Sequence, residues 1–288
     1  MTSAGERAAY WRVPGLALEA MDARFERYAY PMHAHDTYSF GVTDDGAQSF
    51  VCRGGRHVSA AGLVMAFNPD DPHDGRSAVQ HGYRYRMLHL GEGLVREVLA
   101  DAAPGDAGLP LFDTPVVDDP ALARAVARLH TAVAENASRL IVEERLAASV
   151  LALTRRAATR SAPVPDQRGR VDLAAMARAR DLLRQRFAEN VGADELARAA
   201  GCSRFALYRG FRTAYGFAPS DYQRDLRLRR ARALLAEGTA PATVAAEAGF
   251  ADQAHLTRWF TRTYGVTPAA YRTALHRGGQ RPWPGRVS

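Results

Sequence analysis

Leu196-Ala-Arg-Ala-Ala-Gly201 and Val244-Ala-Ala-Glu-Ala-Gly249 carry one pattern at an offset of 48 residues. Leu207-Tyr-Arg-Gly-Phe211, Tyr215-Gly216, Pro219 and Tyr222 then return as Leu256-Thr-Arg-Trp-Phe260, Tyr264-Gly265, Pro268 and Tyr271. Their offset is 49, so the second turn holds one extra residue. A short alanine-rich helix, a glycine, a capping residue and a second helix describe a helix-turn-helix. Gly201 and Gly249 fall where two helices meet sharply and the backbone needs positive φ. Ser203 and Asp252 are suited to cap the second helix. Leu207 with Phe211, and Leu256 with Phe260, are i, i+4 pairs that pack it onto the first. Pro219 and Pro268 suit the first turn of the following helix. Between the units, Tyr222–Ala236 predicts a helix that ends at Gly238 and sets their spacing. One helical hairpin is common, but two copies at nearly one offset are hard to obtain by chance.

Charge points to the same end of the chain. The 288 residues hold 38 basic and 31 acidic side chains, and every basic one is arginine. Residues 166–288 carry 21 arginines against 11 acids, whereas residues 1–165 carry 17 against 20. A basic back half behind a mildly acidic front half fits a polyanionic partner at the back. No apolar run approaches the ~18 residues of a membrane span. The first residues lack the pattern of a signal peptide. Cys52 and Cys202 are distant from each other and suggest neither a disulfide framework nor a metal pair. A cytoplasmic protein with no membrane partner is expected.

Ahead of the repeat the pattern changes. Residues 10–90 are rich in Gly, Pro, Tyr, Phe and His. Short alternating stretches such as Tyr83-Arg-Tyr-Arg-Met-Leu-His-Leu90, with turns expected at Asp44–Gly46, Arg53–Gly55 and Asn68–Pro72, predict an all-β sheet or barrel. Residues 91–114 are mixed, broken by Pro104-Gly105 and Gly108. From Pro120 to Arg160 helical spacing returns in Leu122, Val126, Leu129 and Val133, then Leu140, Leu146, Val150 and Leu153. The expected organisation is a barrel over 1–114, a helical dimerisation segment over 115–160, a linker over 161–170, the tandem units over 171–276 and a tail over 277–288.

Residues 172–276 strongly resemble the DNA-binding domain of the AraC/XylS family of transcription regulators. The likeness includes Arg229–Leu235, Gly249-Phe250 and Gly265-x-x-Pro268-x-x-Tyr271-Arg272. It implies that each second helix enters a major groove, with Phe205, Tyr208 and Arg209 in the first unit and Gln253, Ala254, Thr257 and Arg258 in the second at the DNA. A guanidinium pairs bidentately with guanine, as Arg209 and Arg258 can, and Gln253 suits adenine. Phe205 and Thr257 can touch a thymine methyl. Arg204, Arg212 and Arg262 flank the helices and suit phosphates. Trp259, between core and surface, reads as packing.

His33-Ala-His35, then Asn68-Pro-Asp-Asp-Pro-His73, resemble the two histidine motifs of cupin barrels, which implies the small-molecule-sensing domain found ahead of many such DNA-binding domains. On one strand His33 and His35 share a face, with His73 opposite. Metal-binding cupins place a glutamate where Ser39 stands here. Three readings of the histidines remain open: polar residues of an effector pocket, a metal site, and structural histidines. Tyr38, Phe40 and Val42 have the opposite parity, so a bulge near Asp36 is needed if both sets face inward. Taken forward is the effector reading, with His33, His35, Tyr38 and His73 binding a small molecule and no metal or cofactor assigned.

The fold class expected is therefore two-domain α+β: an N-terminal cupin-like β-barrel with a helical dimerisation segment, and a C-terminal all-α domain with two helix-turn-helix units. The function expected is a sequence-specific DNA-binding transcription regulator controlled by that effector, homodimeric and not an enzyme. Double-stranded promoter DNA is its partner, with RNA polymerase a further candidate. A cupin enzyme with an attached DNA-binding module and a regulator without effector are the competing readings, and Ser39 argues against the first.

Overall fold

The computed structural model describes residues 6–102, 108–159 and 171–276. The expected linker and tail lie outside the described residues. The chain divides into two compact units at Arg170/Val171, except that Ser203–Ala206 group with the first. None of the described helices is long and apolar enough to cross a membrane.

The first unit is a cupin-like barrel of β1 (Arg7–Arg12), β2 (Leu18–Phe25), β3 (Tyr30–His33), β4 (Tyr38–Cys52), β5 (Gly55–Ala60), β6 (Val64–Phe67), β7 (His73–Ser77), β8 (Tyr83–Leu90) and β9 (Val116–Val117). One sheet runs β1-β2-β8-β4-β6-β9. β4 is shared: its first half pairs with β6 and β8, and its second half with β5 and β7, so the strand turns the corner between two layers. Asp44-Asp45-Gly46 is not the expected turn but part of an irregularity inside β4, where the register against β8 shifts. Gly46 has φ +67° and a side chain there would strike the backbone of Gly82. The chain therefore bends at this point without reversing. Arg53 and Gly54, both at positive φ, do form the expected turn, between β4 and β5.

Alternation assigns the two faces. Tyr83, Tyr85 and Met87 on β8 join Met21, Phe50, Met65 and Phe67 in an aromatic and thioether core inside the barrel. Leu88 and Leu90 join Leu18, Tyr38, Phe40 and Val42 on the other face, under three helices. These are α1 (Glu92–Ala102), α2 (Pro120–Ala134) and α3 (Arg139–Arg156). The spacing of Leu94, Val95, Val98 and Leu99 makes α1 amphipathic, although its residues read only as mixed beforehand; Pro104-Gly105 come after it. Asp119 caps α2 by accepting from the amides of Ala121 and Leu122, and the apolar positions anticipated along α2 and α3 are all buried.

The second unit is wholly helical: α4 (Leu173–Gln185), α5 (Ala193–Ala200), α6 (Arg204–Tyr215), α7 (Pro219–Ala236), α8 (Pro241–Glu247), α9 (Gln253–Tyr264) and α10 (Pro268–His276). α5 with α6, and α8 with α9, are the two helix-turn-helix units, and α7 joins them. Leu207, Phe211, Leu256 and Phe260 are completely buried. Cutting either phenylalanine to alanine costs about 3–5 kcal/mol. Gly201, Gly249 and Gly265 have left-handed φ. Asp252 caps α9 through the amide of His255, and Ser203 accepts from the amide of Ala206.

Candidate effector cavity and nucleic-acid interface

The loop between α4 and α5 is held from within. Arg227 on α7 is buried, and its guanidinium donates to the carbonyl oxygens of Phe187 at 2.6 Å and Glu189 at 2.8 Å. The Gln223 side-chain amide donates to the same two carbonyls. Burial alone brings the Arg227 pKa down to about 10, so the group stays charged at neutral pH. Gly249 meets Ala188 of this loop backbone to backbone. Neither Gln223 nor Arg227 was singled out from the sequence, because their partners lie more than thirty residues away and carry no motif.

The second recognition helix presents the expected side chains together. Gln253, Ala254, Thr257, Arg258 and Arg262, with Thr261, line one shallow depression along α9. Gln253, Ala254, Arg258 and Arg262 are exposed. Trp259 packs beside the Leu256–Phe260 core. It lies between two guanidinium groups, Arg224 at 3.8 Å and Arg262 at 5.4 Å from its ring centre, both within reach of the ring's negative face. On α6, Arg204, Phe205, Tyr208, Arg209 and Arg212 occupy the corresponding helix, and Phe205, Arg209 and Arg212 lie by helical spacing opposite Leu207 and Phe211. Arginines on both second helices of the tandem repeat, with the amide of Gln253 on α9, suit a duplex, where donors are needed at both phosphates and base edges.

The barrel encloses a cavity of about 670 Å³, within the range that takes small molecules. Phe50, Met65, Phe67, Tyr85 and Met87 line it together with His33, His35, His73 and His89. His33 ends β3, and His35 lies past the strand in an irregular stretch before β4, not two residues along one strand as expected. The break at this point does not turn both sets inward, and the bulge expected near Asp36 for that purpose is not required: the two parities lie on opposite faces. Tyr38 therefore does not line the cavity: it is buried under the helices, and its hydroxyl donates to the Pro110 carbonyl at 2.8 Å. The structure brings together His33, His35 and His73 and adds His89. Its parity with Tyr85 and Met87 follows from the alternation of β8, and its place beside Ser39 from the β4–β8 register.

The histidine rings are fixed from behind. Nδ1 of His33 donates to the Pro31 carbonyl at 2.8 Å and Nδ1 of His73 to the Asp71 carbonyl at 2.9 Å. Each ring is thereby left with the lone pair of its Nε2. His73 also stacks on Phe67 at 4.2 Å. Its loop is anchored where Asp71 accepts from the Arg53 guanidinium and from the amide of Asn68. Ring nitrogens of His33, His35 and His73 all lie within 4.8 Å of one another, a donor set that suits a metal ion of intermediate softness. Burial pushes the pKa values of His73 and His89 down to about 4 and lowers that of His35.

A depressed histidine pKa has a defined effect on stability. The unfolded chain takes up its protons first as pH falls below about 6.5, so the barrel is fully stable above that value and loses stability towards pH 4. His73 alone should cost about 1 kcal/mol at pH 5.5. Chelator-treated protein is expected to melt several degrees lower at pH 5.5 than at pH 7.5. A melting temperature that stayed level or rose would contradict the buried, neutral state.

Known proteins share both units. Residues 15–150 match the family model described as AraC-like ligand binding domain, and residues 196–274 match that of a helix-turn-helix domain. The uncharacterized HTH-type transcriptional regulator YbfI of Bacillus subtilis (strain 168) is 27% identical over 245 residues, which are 84% of this chain and 87% of the relative. YobQ of the same organism, also an uncharacterized HTH-type transcriptional regulator, is 40% identical over 67 residues, 23% of this chain and 28% of its own. Among solved structures, an AraC-type transcriptional regulator from Chromobacterium violaceum is 28% identical over 36% of this chain and 95% of its own, with a TM-score of 0.34. Oxalate decarboxylase of Bacillus subtilis is 15% identical over 30% of this chain, with a TM-score of 0.28, and the match spans only 26% of that enzyme. With a ligand-binding barrel ahead of tandem helix-turn-helix units, the chain belongs to the AraC-type DNA-binding transcription regulators.

Proposed function

We propose that a small molecule held in the barrel cavity controls how the two helix-turn-helix units engage promoter DNA. The observation that carries this reading is the joining, in one chain, of a cavity lined in part by histidines to two helices that bear arginines, one of them also the amide of Gln253. Arg209, Arg258 and Gln253 read base edges, Phe205, Tyr208, Ala254 and Thr257 line the contact, and Arg204, Arg212 and Arg262 hold phosphates. His33, His35 and His73 bind the effector. Control requires only that the effector bind one state of the protein better than the other. Work in the cytoplasm, a homodimer formed through the 115–160 helices, contact with RNA polymerase and the absence of catalysis belong to the same reading.

The test uses the full chain. Duplexes selected from a random pool should converge on a defined sequence, and affinity should fall steeply between 50 and 200 mM salt, by about 10³-fold or more if six or more phosphates are contacted. A small molecule released from the protein on denaturation should shift that affinity when added back. A pool that failed to converge at low salt would end the DNA reading; indifference of DNA binding to every released molecule would end effector control.

A further inference from the structure

Packing does not account for the indole of Trp259. The 49-residue offset of the tandem repeat places Gly210 of α6 where Trp259 stands on α9, and Thr213 where Arg262 stands. At Gly210 the space is already filled, since a Cβ there would lie 2.8 Å from the Met176 sulfur of α4. Thr213 turns its hydroxyl back to donate to the Arg209 carbonyl at 3.0 Å. The first helix-turn-helix thus closes its core with neither an indole nor a cation at these places. In the second, Trp259 is only partly buried beside the Leu256–Phe260 pair, and two guanidinium groups rest against its ring.

The two arginines differ in how their charge is met. Arg224, on α7, is ion-paired with Asp221 one turn earlier, and only 19% of its side chain is exposed. Its guanidinium carbon is 3.8 Å from the ring centre, a distance of direct stacking. Asp225, the other carboxylate on α7, pairs with Arg229. Arg262 is exposed, and its guanidinium lies 5.4 Å from the same ring centre. Among the described residues it has no acidic partner and no hydrogen bond. The series Asp221, Arg224, Trp259, Arg262 therefore starts in a neutralised pair on α7. It ends in an uncompensated cation on α9, in the depression that Gln253 and Arg258 also line.

We propose that Trp259 is a positioning residue for DNA binding: Arg224 holds its indole, and the indole holds the Arg262 guanidinium toward a backbone phosphate. An arginine free in water gives up rotamer freedom when it grips a phosphate, and a ring that restrains the guanidinium beforehand removes part of that cost. The attraction is electrostatic and needs a π face, not merely apolar bulk. This inference rests on the proposed contact of α9 with DNA. It gives the second helix-turn-helix a ring-held phosphate contact with no counterpart in the first.

The full chain and the duplex selected from the random pool supply the test, with affinity measured from about 50 to 200 mM salt. Arg262→Ala should weaken binding about 10-fold and lower the slope of log affinity against log salt by about one. Trp259→Leu, which keeps apolar bulk but no π face, should weaken binding about 2- to 5-fold, and Trp259→Phe should restore most of the parent affinity. Arg224→Ala should act in the same direction as Trp259→Leu. In the Arg262→Ala background, Trp259→Leu should cost nothing further, because the ring then has no cation to present. A residue that only packs would cost the same in both backgrounds, with a lowered melting temperature in each. Should Trp259→Leu fail to fold, Arg224→Ala takes its place, and its loss should likewise vanish once Arg262 is gone. Parent affinity in Trp259→Leu, or equal losses with and without Arg262, overturns the inference while leaving the DNA reading intact. Parent affinity in Arg262→Ala overturns its phosphate contact and the positioning with it, and a parent that selects no duplex ends the DNA reading itself.

Discussion

Gly249→Ala is expected to destabilise the second unit by about 3 kcal/mol or more, against about 1 kcal/mol for Gly201→Ala at the matching turn. Both glycines have left-handed backbones, with φ +78° at Gly249 and +69° at Gly201. Alanine pays the cost of that conformation at either site. The difference lies in what surrounds them. A Cβ at Gly249 would sit 2.5 Å from Cα of Ala188 and closer still to its carbonyl oxygen, main-chain atoms of the loop that Gln223 and Arg227 hold in place. A Cβ at Gly201 would meet only the tip of the Arg178 side chain at 3.5 Å, which can move. Since domains are stable by only about 5–15 kcal/mol, the Gly249 change is large enough to empty much of the folded population on mild heating. Urea titration of each variant, followed by far-ultraviolet circular dichroism, measures the contrast. Equal losses at the two glycines would show that backbone conformation, not the close approach, sets the penalty.

Arg258→Ala and Arg209→Ala should each weaken binding to the selected duplex by about 1–3 kcal/mol, roughly 5- to 150-fold. The side chains project from matching places on α9 and α6, away from the buried Leu/Phe pairs. If each guanidinium reads a guanine, the loss is confined to one or two base pairs per variant, and the two positions fall about one helical turn apart. Changing the guanine should then cost the parent protein as much as changing the arginine, and the double change should cost little more. Arg262→Ala provides the comparison, because a phosphate contact lowers affinity for every sequence alike and reduces the salt dependence by about one counterion. A uniform loss in both Arg209 and Arg258 variants would reassign them to phosphates.

The tandem units were legible because local rules decide them. A left-handed glycine, a capping Ser or Asp, and an i, i+4 apolar pair each act within a few residues, and a second copy confirms the first. The alternation of β8 was equally plain, but the sequence could not say which face enclosed a cavity. That choice follows from what packs on the other face, namely α1, α2 and α3, whose contacts are long-range. Tyr38 was placed with the histidines because the break between β3 and β4 leaves no local mark beyond a change of parity. His89 became visible only through strand pairing, which sets Ser39 beside it. Arg227 is the extreme case: nothing near it in sequence distinguishes it from the arginines around it on α7, yet it is buried and its partners are two main-chain carbonyls about forty residues away.

That internal arginine has a consequence for the operator. A guanidinium and an amide lock α7 to the loop ahead of α5, and Gly249, in the turn between α8 and α9, seats on the same loop. The gap between the reading heads is thus written in the protein interior and works like a caliper locked at one opening. The two half-elements of a promoter must then hold their helical phase as they diverge. Single-base insertions between them are disfavoured, whereas substitutions within either one are free to accumulate. A lineage that lengthened the spacer would have to reopen this polar knot first.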